Sequence, residues 1–456
     1  MREVVQIICT SEIMDYDFPF RKGMVQTSTG SAFFLKSNDN YLVTCYHCVK
    51  NAIHVEIVLP SIGKKRYSVE IISICPLYDI ALLRLNSENT FPHGSFNIES
   101  NSISKVKVGD KVEAIGFPLG QSNIKMTRGI ISGHQFGNYQ TDSPVNPGNS
   151  GGPLLWNGKI IGIVSSGFLF SNDIGYAIPI EKFLNCFEMM KKSFIITPPP
   201  YLGLCLQNPI KPKTKGMYIY NFLKKPSIVD GAIPKFKVGD VLIKLCGVDI
   251  IDNGFVNKKW MDNFIDIETF LSLQKMGKDI PFTILRGSKT LTGKIILKKP
   301  KLLSKENFKH PSKIQKYIVI GGLVVIPMTM KGLTRISQLL CLGNPIEQHK
   351  NIIKFQNTVQ NLMAFFTKKD RLFIVVNILS GSMFDHYFEK FDIISYVNKK
   401  PMKTLNDFKK IFFGSNINSY EMKMLDGKMF KFTQKELKEE EKKLKDQYQI
   451  ENLFQI

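Results

Sequence analysis

The chain has 456 residues, 43% of them hydrophobic, and its 61 Lys and Arg residues exceed its 39 Asp and Glu residues by 22. The length suggests about three domains, and the hydrophobic content excludes a chain that is disordered throughout. Residues 1–195 hold 18 basic and 16 acidic side chains, and the remainder holds 43 and 23. A basic half of this kind attracts nucleic acid, anionic surfaces or acidic proteins, although a general bias towards lysine explains the same excess.

Up to about residue 195 the chain shows short β-like runs separated by Gly, Pro, Asn and Ser, which predicts an all-β double barrel. Two of these runs carry groups for acid–base chemistry. Tyr41–Thr44 leads into Cys45-Tyr46-His47-Cys48, so His47 lies where a strand ends, and Asp79 precedes the apolar run Ile80–Leu85. Alone, each is more typical of a structural histidine or a turn aspartate.

A serine between glycines follows, in the segment Asn146-Pro147-Gly148-Asn149-Ser150-Gly151-Gly152-Pro153. Glycines let the backbone turn sharply, expose the hydroxyl and allow nearby N–H groups to face an oxyanion. A polar surface turn is the alternative. Together with His47 and Asp79, however, Ser150 is predicted to be a nucleophile, with a general base and a carboxylate that orients the base.

These segments resemble the successive motifs of the Deg/HtrA serine proteases. The resemblance implies a chymotrypsin-like double β-barrel, with His47, Asp79 and Ser150 as the catalytic residues and the backbone N–H groups of Gly148 and Ser150 as the oxyanion hole. Val4–Ile7 and Asp17–Phe20 are most similar to the intracellular, plant-type branch. The further matching motifs are Gly30-Ser31-Ala32-Phe33-Phe34, Asp79–Leu83, Gly116–Gly120, Thr141-Asp142 and Gly175–Ile180.

The residues around the predicted triad differ from the usual serine protease pattern in two places. Cys45 and Cys48 form a C-x-x-C pair, but a structural zinc site usually needs a second pair of ligands; we therefore expect no metal and no organic cofactor, with a redox switch as the alternative. In digestive serine proteases the residue before the nucleophile is an aspartate that pairs with a newly cleaved N-terminus, whereas this chain has the neutral Asn149. This difference predicts activation by the ordering of loops and not by removal of a pro-peptide. The predicted substrate pocket is mostly apolar and favours cleavage after medium-sized apolar residues; it consists of Pro144, Val145, Ser165, Ser166, Gly167 and Phe168.

Beyond a Pro-rich linker at 196–200, the chain contains a repeat. Val238–Ile250 is echoed by Lys390–Met402, and helical segments follow at Asp266–Met276 and Leu405–Phe412. Both copies resemble PDZ domains, an α+β fold. We place the first at 201–300, with a carboxylate-binding loop formed by Leu202, Gly203 and Leu204, and the second, divergent copy at 371–433. That copy has no evident loop, so a structural or oligomer-contact role is an equal alternative to peptide binding.

Two segments remain outside these domains. The connecting segment 301–370 contains the apolar run Tyr317–Met330, which is too short to span a bilayer and is predicted to form buried strands. Residues 434–456 are predicted to form a charged, solvated C-terminal helix.

The resemblance implies a serine endopeptidase that acts on unfolded or damaged proteins, captures peptide C-termini with a PDZ domain and forms a trimer or hexamer. Phe18 and Phe20 are candidate trimer contacts, or else pack in the barrel. The alternatives are a non-catalytic holdase or scaffold, and a protease that docks on nucleic acid through its basic half. No signal peptide or disulfide framework is evident, so we expect an intracellular location, cytoplasm or nucleus, without a membrane span.

Overall fold

The computed structural model describes residues 4–455 except 14, 16, 37–39, 86–95, 136, 166–173, 197–201, 203, 209–214, 223–227, 232–234, 252–253, 257–264, 273–278, 297–315, 328–371, 391 and 415–416. The chain divides into two compact units. The first consists of residues 1–11 and 26–302, and the second of residues 12–25 and 303–456.

Two closed six-stranded barrels confirm the predicted double-barrel fold. In the first barrel the strands follow the order β1-β2-β3-β6-β5-β4, and in the second the order β10-β11-β12-β9-β8-β7. The strands are β1 (Val4–Ile13), β2 (Met24–Phe34), β3 (Tyr41–Cys45), β4 (Ala52–Val58), β5 (Arg66–Cys75), β6 (Ile80–Leu85), β7 (Lys111–Gly116), β8 (Lys125–Gln135), β9 (Asn138–Thr141), β10 (Pro153–Trp156), β11 (Lys159–Ser165) and β12 (Gly175–Pro179).

Strand β6 shows why the run after Asp79 is almost continuously apolar. Ile80 and Leu82 pack in one hydrophobic cluster, whereas Ala81 and Leu83 point to the opposite face and pack in another. Burying a large aliphatic side chain stabilises the fold by about 1.5–3 kcal/mol. Because both faces of β6 are covered, the strand provides a fixed base for the residue that precedes it.

Helices α1 (Ser102–Lys105) and α2 (Ile180–Met190) complete the protease part. The buried side chains of Phe183, Cys186 and Met190 join the cluster that contains Ile80 and Leu82. This packing anchors the helix on the barrels.

The first PDZ-like sheet has the order β13-β14-β16-β20-β21-β15, with β17 paired to β16. Strand β13 is therefore at one end of the sheet. The elements are β13 (Leu204–Gln207), β14 (Met217–Phe222), β15 (Ile228–Gly231), β16 (Val241–Leu245), β17 (Val248–Asp249), β18 (Phe255–Val256), β19 (Ile265–Asp266), α3 (Ile267–Ser272), β20 (Asp279–Arg286) and β21 (Lys289–Ile296).

The second PDZ-like sheet has the order β28-β27-β25-β24-β23-β22-β29, with β26 paired to β25. Its β23-β24-β25-β27-β28 pairing repeats the β13-β14-β16-β20-β21 pairing of the first sheet. The elements are β22 (Tyr317–Ile320), β23 (Leu323–Pro327), β24 (Phe373–Ile378), β25 (Ile393–Val397), β26 (Lys400–Pro401), α4 (Leu405–Phe413), β27 (Ser419–Met424), β28 (Met429–Thr433), α5 (Gln434–Tyr448) and β29 (Phe454–Gln455).

Asp240 and Asp392, the acidic residues of the sequence repeat, have matching structural roles. Each is buried and accepts a hydrogen bond from the backbone N–H three residues earlier, that of Lys237 at 2.8 Å and that of Glu389 at 3.0 Å. Buried carboxylates need such partners, because leaving water is costly for a charge. The repeat therefore reflects a shared turn that leads into β16 and β25.

The second sheet extends beyond the predicted boundaries at 371 and 433. Strands β22 and β23, from the predicted connecting segment, pair with each other, and β23 also pairs with β24. Helix α5 buries Leu437 and Leu444, each 1% exposed, so one face of this helix is packed. Finally, β29 pairs with β22, which adds the C-terminal segment to the same sheet.

Among the described residues, no helix is both long and apolar enough to cross a bilayer. Phe18 and Phe20 belong to the second unit, where Phe18 stacks on Tyr448 and Phe20 meets Tyr317 edge to face. The predicted linker residues 197–200 lie outside the described residues.

Candidate active site

The pairing of β3 with β6 places His47 beside Asp79. Cys45, the last residue of β3, is opposite Ile80, the first residue of β6, and the Tyr46 N–H donates to the Asp79 carbonyl at 3.0 Å. The chain then enters a short 3-10 turn, Tyr46–Val49, which carries His47. Asp79 has φ 56°, a left-handed conformation that Asp tolerates better than most residues.

Both oxygens of the Asp79 carboxylate contact His47. Its Oδ1 accepts the His47 backbone N–H at 2.8 Å, and its Oδ2 is 2.6 Å from His47 Nδ1. The Ser165 hydroxyl, at the end of β11, donates to Oδ2 at 3.4 Å. These contacts fix both the carboxylate and the imidazole tautomer that carries a proton on Nδ1.

The same contacts favour the protonated imidazole. Burial alone lowers the pKa of His47, but the hydrogen bond to Asp79 and the neighbouring Cys48 outweigh it and raise the pKa to about 10. A proton taken up by His47 is therefore strongly held.

Ser150 lies in the loop between β9 and β10, at the junction of the two barrels. Its carbonyl accepts the Ser31 N–H of β2 at 2.8 Å and the Cys48 thiol at 3.4 Å. The next residue, Gly151, donates its N–H to Val164 of β11 at 2.7 Å. Because Cys48 adjoins His47, these bonds hold the serine against the segment that carries the histidine.

Ser31 supports this loop through its side chain, a role that sequence reasoning missed. Its hydroxyl donates to the Gly148 carbonyl at 2.6 Å and accepts the Phe117 N–H at 3.0 Å. One buried hydroxyl thus joins the first barrel to two loops of the second. The Gly-Ser-Ala segment contained the residue, but the partners are 86 and 117 residues away, beyond the reach of a local pattern.

The conformation of Gly148 is one that only glycine adopts easily, with φ +100°. A Cβ at this position would overlap the Phe117 carbonyl oxygen. Among the backbone hydrogen bonds of the described residues, the N–H groups of Gly148 and Ser150 have no carbonyl partner.

The predicted substrate pocket is described only in part. Pro144 is exposed and its carbonyl accepts the Thr127 hydroxyl at 3.1 Å. Val145 packs against the core of the second barrel. Ser165 bonds to Asp79, a contact that the sequence analysis did not anticipate. Ser166, Gly167 and Phe168 lie outside the described residues.

The predicted carboxylate loop of the first PDZ-like domain adjoins the end strand β13. Leu202 and Leu204 are buried in that domain's core, together with Phe270 of α3, and Gly203 lies outside the described residues. In the second domain, β23 is not at the end of its sheet: β22 covers it, and α4 contacts β22.

Comparisons with known proteins identify a peptidase domain in the chain. Residues 30–163 match the model of the trypsin-like peptidase domain. Protease Do-like 2, chloroplastic, from Arabidopsis thaliana is 28% identical over 72% of this chain and 56% of its own length. A probable periplasmic serine endoprotease, DegP-like, from Pseudomonas putida is 31% identical over 49% of this chain and 48% of its own length.

Among solved structures, the HtrA-type protease AlgW with a decapeptide is 22% identical, with a TM-score of 0.47, and the match covers 66% of this chain and 97% of that one. The chain spans about half the length of the two curated relatives. The peptidase-domain match and the relatives lead to one conclusion: the chain contains a trypsin-like peptidase domain and is homologous to serine proteases of the Deg/HtrA family.

Proposed function

We propose that the chain is a serine endopeptidase in which His47 is the general base, Asp79 orients it and Ser150 is the nucleophile. The observation that carries the proposal is the 2.6 Å contact between His47 Nδ1 and Asp79, beside a serine loop bonded to the same segment. Serine is a weak nucleophile at its ordinary pKa and needs such a base.

In the proposed reaction, Nε2 of His47 takes the Ser150 hydroxyl proton while Oγ attacks the scissile carbonyl carbon. Asp79 stabilises the resulting imidazolium without itself taking the proton. His47 then donates that proton to the leaving amine, and water releases the acyl group by the same route. The Ser165 hydroxyl keeps Asp79 in place during both steps.

The N–H groups of Gly148 and Ser150 stabilise the negative oxygen of the tetrahedral intermediate. Losing one such donor costs about 10² to 10³ in kcat. Ser31 is the positioning residue for this hole, because its hydroxyl bonds the Gly148 carbonyl and so sets the direction of the adjoining peptide groups.

The proposed substrates are unfolded or damaged proteins, cut after medium-sized apolar residues and captured by their C-termini. Capture belongs to the first PDZ-like domain, where the end strand β13 accepts an extended peptide by β-augmentation. In the second domain β22 already pairs with the corresponding strand, so we assign that domain no peptide. A homo-oligomer, trimer or hexamer, completes the proposal, and light scattering measures its mass.

Peptide hydrolysis tests the catalytic assignment. We expect the wild type to cleave unfolded casein and a quenched peptide that has an apolar residue before the cleaved bond. The Ser150→Ala variant should hydrolyse both at least 10³-fold more slowly. Ser104→Ala is the matched control, because its hydroxyl is exposed and, within the described part of the chain, donates to the Asn101 carbonyl. Equal rates for wild type and Ser150→Ala would contradict the proposal.

Peptide capture needs a separate experiment, performed with Ser150→Ala so that the ligand survives. A photo-crosslinking peptide with an apolar C-terminal residue should label β13 and not β23, and amidation of its C-terminus should abolish labelling. Labelling that is insensitive to amidation, or that falls on β23, would contradict the assignment.

A further inference from the structure

Three different metal-binding groups lie together around His47, the proposed general base. The ligand atoms of Cys45, His47 and Asp79 all lie within 4.8 Å of one another. Thiolate, imidazole and carboxylate are the donors from which zinc sites are built. Cys45 is here because it ends β3 opposite Ile80, which places its thiol beside the residue that precedes β6.

The separations of the ligand atoms, between 2.6 Å and at most 4.8 Å, bracket those of a tetrahedral site. Bonds of about 2.3 Å to sulfur and about 2.0–2.2 Å to nitrogen and oxygen put neighbouring ligand atoms roughly 3.3–3.6 Å apart. Nδ1 of His47 and Oδ2 of Asp79 are 2.6 Å apart, so they must separate by under ~1 Å. The two side chains are 38% and 31% exposed, which leaves room for small rotations and a path for the ion.

The groups around the three ligands remain satisfied when a metal enters. Oδ1 of Asp79 keeps the His47 backbone N–H, at 2.8 Å, and thereby leaves Oδ2 for the ion. The Cys45 thiol donates to the Val164 carbonyl at 3.3 Å; that carbonyl still accepts the Gly151 N–H at 2.7 Å when the thiol proton is lost. Such supporting contacts orient ligands and raise metal affinity.

We propose that the chain has an inhibitory zinc site formed by Cys45 Sγ, His47 Nδ1 and Asp79 Oδ2, with water or the Ser165 hydroxyl as the fourth ligand. Binding releases the thiol proton to solvent, and the proton of a neutral imidazole passes by way of solvent from Nδ1 to Nε2; an imidazolium instead keeps its Nε2 proton and releases the Nδ1 proton to solvent. The ion then replaces the hydrogen bond between His47 and Asp79, and the imidazole no longer serves as a base for Ser150. Only the inhibitory consequence rests on the proposed function; binding itself does not.

The thiolate makes the site selective. Zinc and cadmium accept sulfur and imidazole ligands, whereas magnesium and calcium prefer oxygen. We therefore expect zinc to inhibit hydrolysis reversibly, with recovery upon chelation, and millimolar magnesium or calcium to have no effect.

The test measures cadmium binding to the Ser150→Ala chain, from the ultraviolet absorption of the thiolate–cadmium bond. Adding Cys45→Ser removes the sulfur ligand but keeps a hydroxyl for the Val164 carbonyl. Cys48→Ser is the matched control, since that thiol adjoins His47 yet bonds the Ser150 carbonyl. We expect one equivalent of this absorption to disappear with Cys45→Ser only, and Asp79→Asn to weaken binding at that equivalent at least tenfold.

Zinc inhibition is measured in parallel with Ser150 intact. The ratio of inhibited to uninhibited rate should respond to at least tenfold more zinc in Cys45→Ser than in wild type or Cys48→Ser. An absorption unchanged by Cys45→Ser, or equal zinc sensitivity of the Cys45→Ser and Cys48→Ser variants, would overturn the proposal.

The two proposals fail separately. Cadmium bound through Cys45 in a protein that hydrolyses nothing supports the site and refutes the proposed function. Hydrolysis that is insensitive to zinc, in a protein that binds no cadmium through Cys45, supports the proposed function and refutes the metal site.

Discussion

Replacing Gly148 with alanine should inactivate the protein while leaving it folded. The residue has φ +100°, and a Cβ would overlap the Phe117 carbonyl. A left-handed alanine costs about 1–2 kcal/mol, and the overlap forces the loop to move or the peptide to turn. Either change takes the Gly148 N–H away from the oxyanion, which costs about 2.7–4 kcal/mol, or 10² to 10³ in kcat.

Gly109→Ala is the matched control for this substitution. Gly109 has φ +92°, but nothing lies within 4 Å of a Cβ added there, so it carries the same backbone cost without the overlap. We expect both variants to lose thermal stability, Gly148→Ala the more because of the overlap, and only Gly148→Ala to lose kcat, measured with the quenched peptide. A Gly148→Ala protein with kcat within about threefold of wild type would refute the oxyanion assignment.

Three further substitutions test the other contacts. Asp79→Asn should lower kcat by about 10⁴ because it stabilises the wrong His47 tautomer; a loss below tenfold in peptide hydrolysis would contradict this. Arg286→Met should destabilise the first PDZ-like domain by about 3–5 kcal/mol, since it strands the buried Asp240 carboxylate that Arg286 Nε contacts at 2.7 Å; calorimetry checks this, and an unchanged transition would contradict it. Burial raises the pKa of Glu441 on α5 from 4.5 to about 7, so the folded state binds the proton more tightly and loses up to about 3 kcal/mol as pH rises from about 4.5 to about 7. Glu441→Gln should flatten that decline in calorimetric scans, and an unaltered pH dependence would refute it.

The sequence led to the proposed triad because each of its members has a local signature. His47 follows a β-like run, Asp79 precedes another and Ser150 is flanked by glycines, so the proposal rests on three short patterns. The double barrel followed from the resemblance and from the spacing of turn residues. Asp240 and Asp392 likewise marked two copies of one turn, and the structure gives them matching hydrogen bonds.

Residues whose roles depend on distant partners were not predictable in this way. Ser31 and Ser165 act through hydrogen bonds to residues 86 or more positions away, which form only when the barrels close. The packed face of α5 also depends on a partner elsewhere in the chain, the Gly321–Gly322 turn. A Cβ added to Gly321 would lie 3.2 Å from Leu437 Cδ1, and one added to Gly322 would lie 3.1 Å from Leu444 Cδ1.

One overlooked element did have a local signal. Gly321-Gly322 joins β22 to β23 as a two-residue turn, with Ile320 opposite Leu323, and a Gly-Gly pair between apolar runs is typical of a β-hairpin. The sequence analysis predicted buried strands in this segment but assigned it to a connection. Its place in the second sheet depends on pairing with β24, nearly 50 residues later in the chain.

The most direct test of the central claim is active-site labelling with a fluorophosphonate, followed by peptide mapping. If His47 activates Ser150, the wild type should carry one label per chain on Ser150, and both Ser150→Ala and His47→Ala should carry none. A folded wild-type protein that leaves Ser150 unlabelled, or labelling of Ser150 that persists in His47→Ala, would contradict this account.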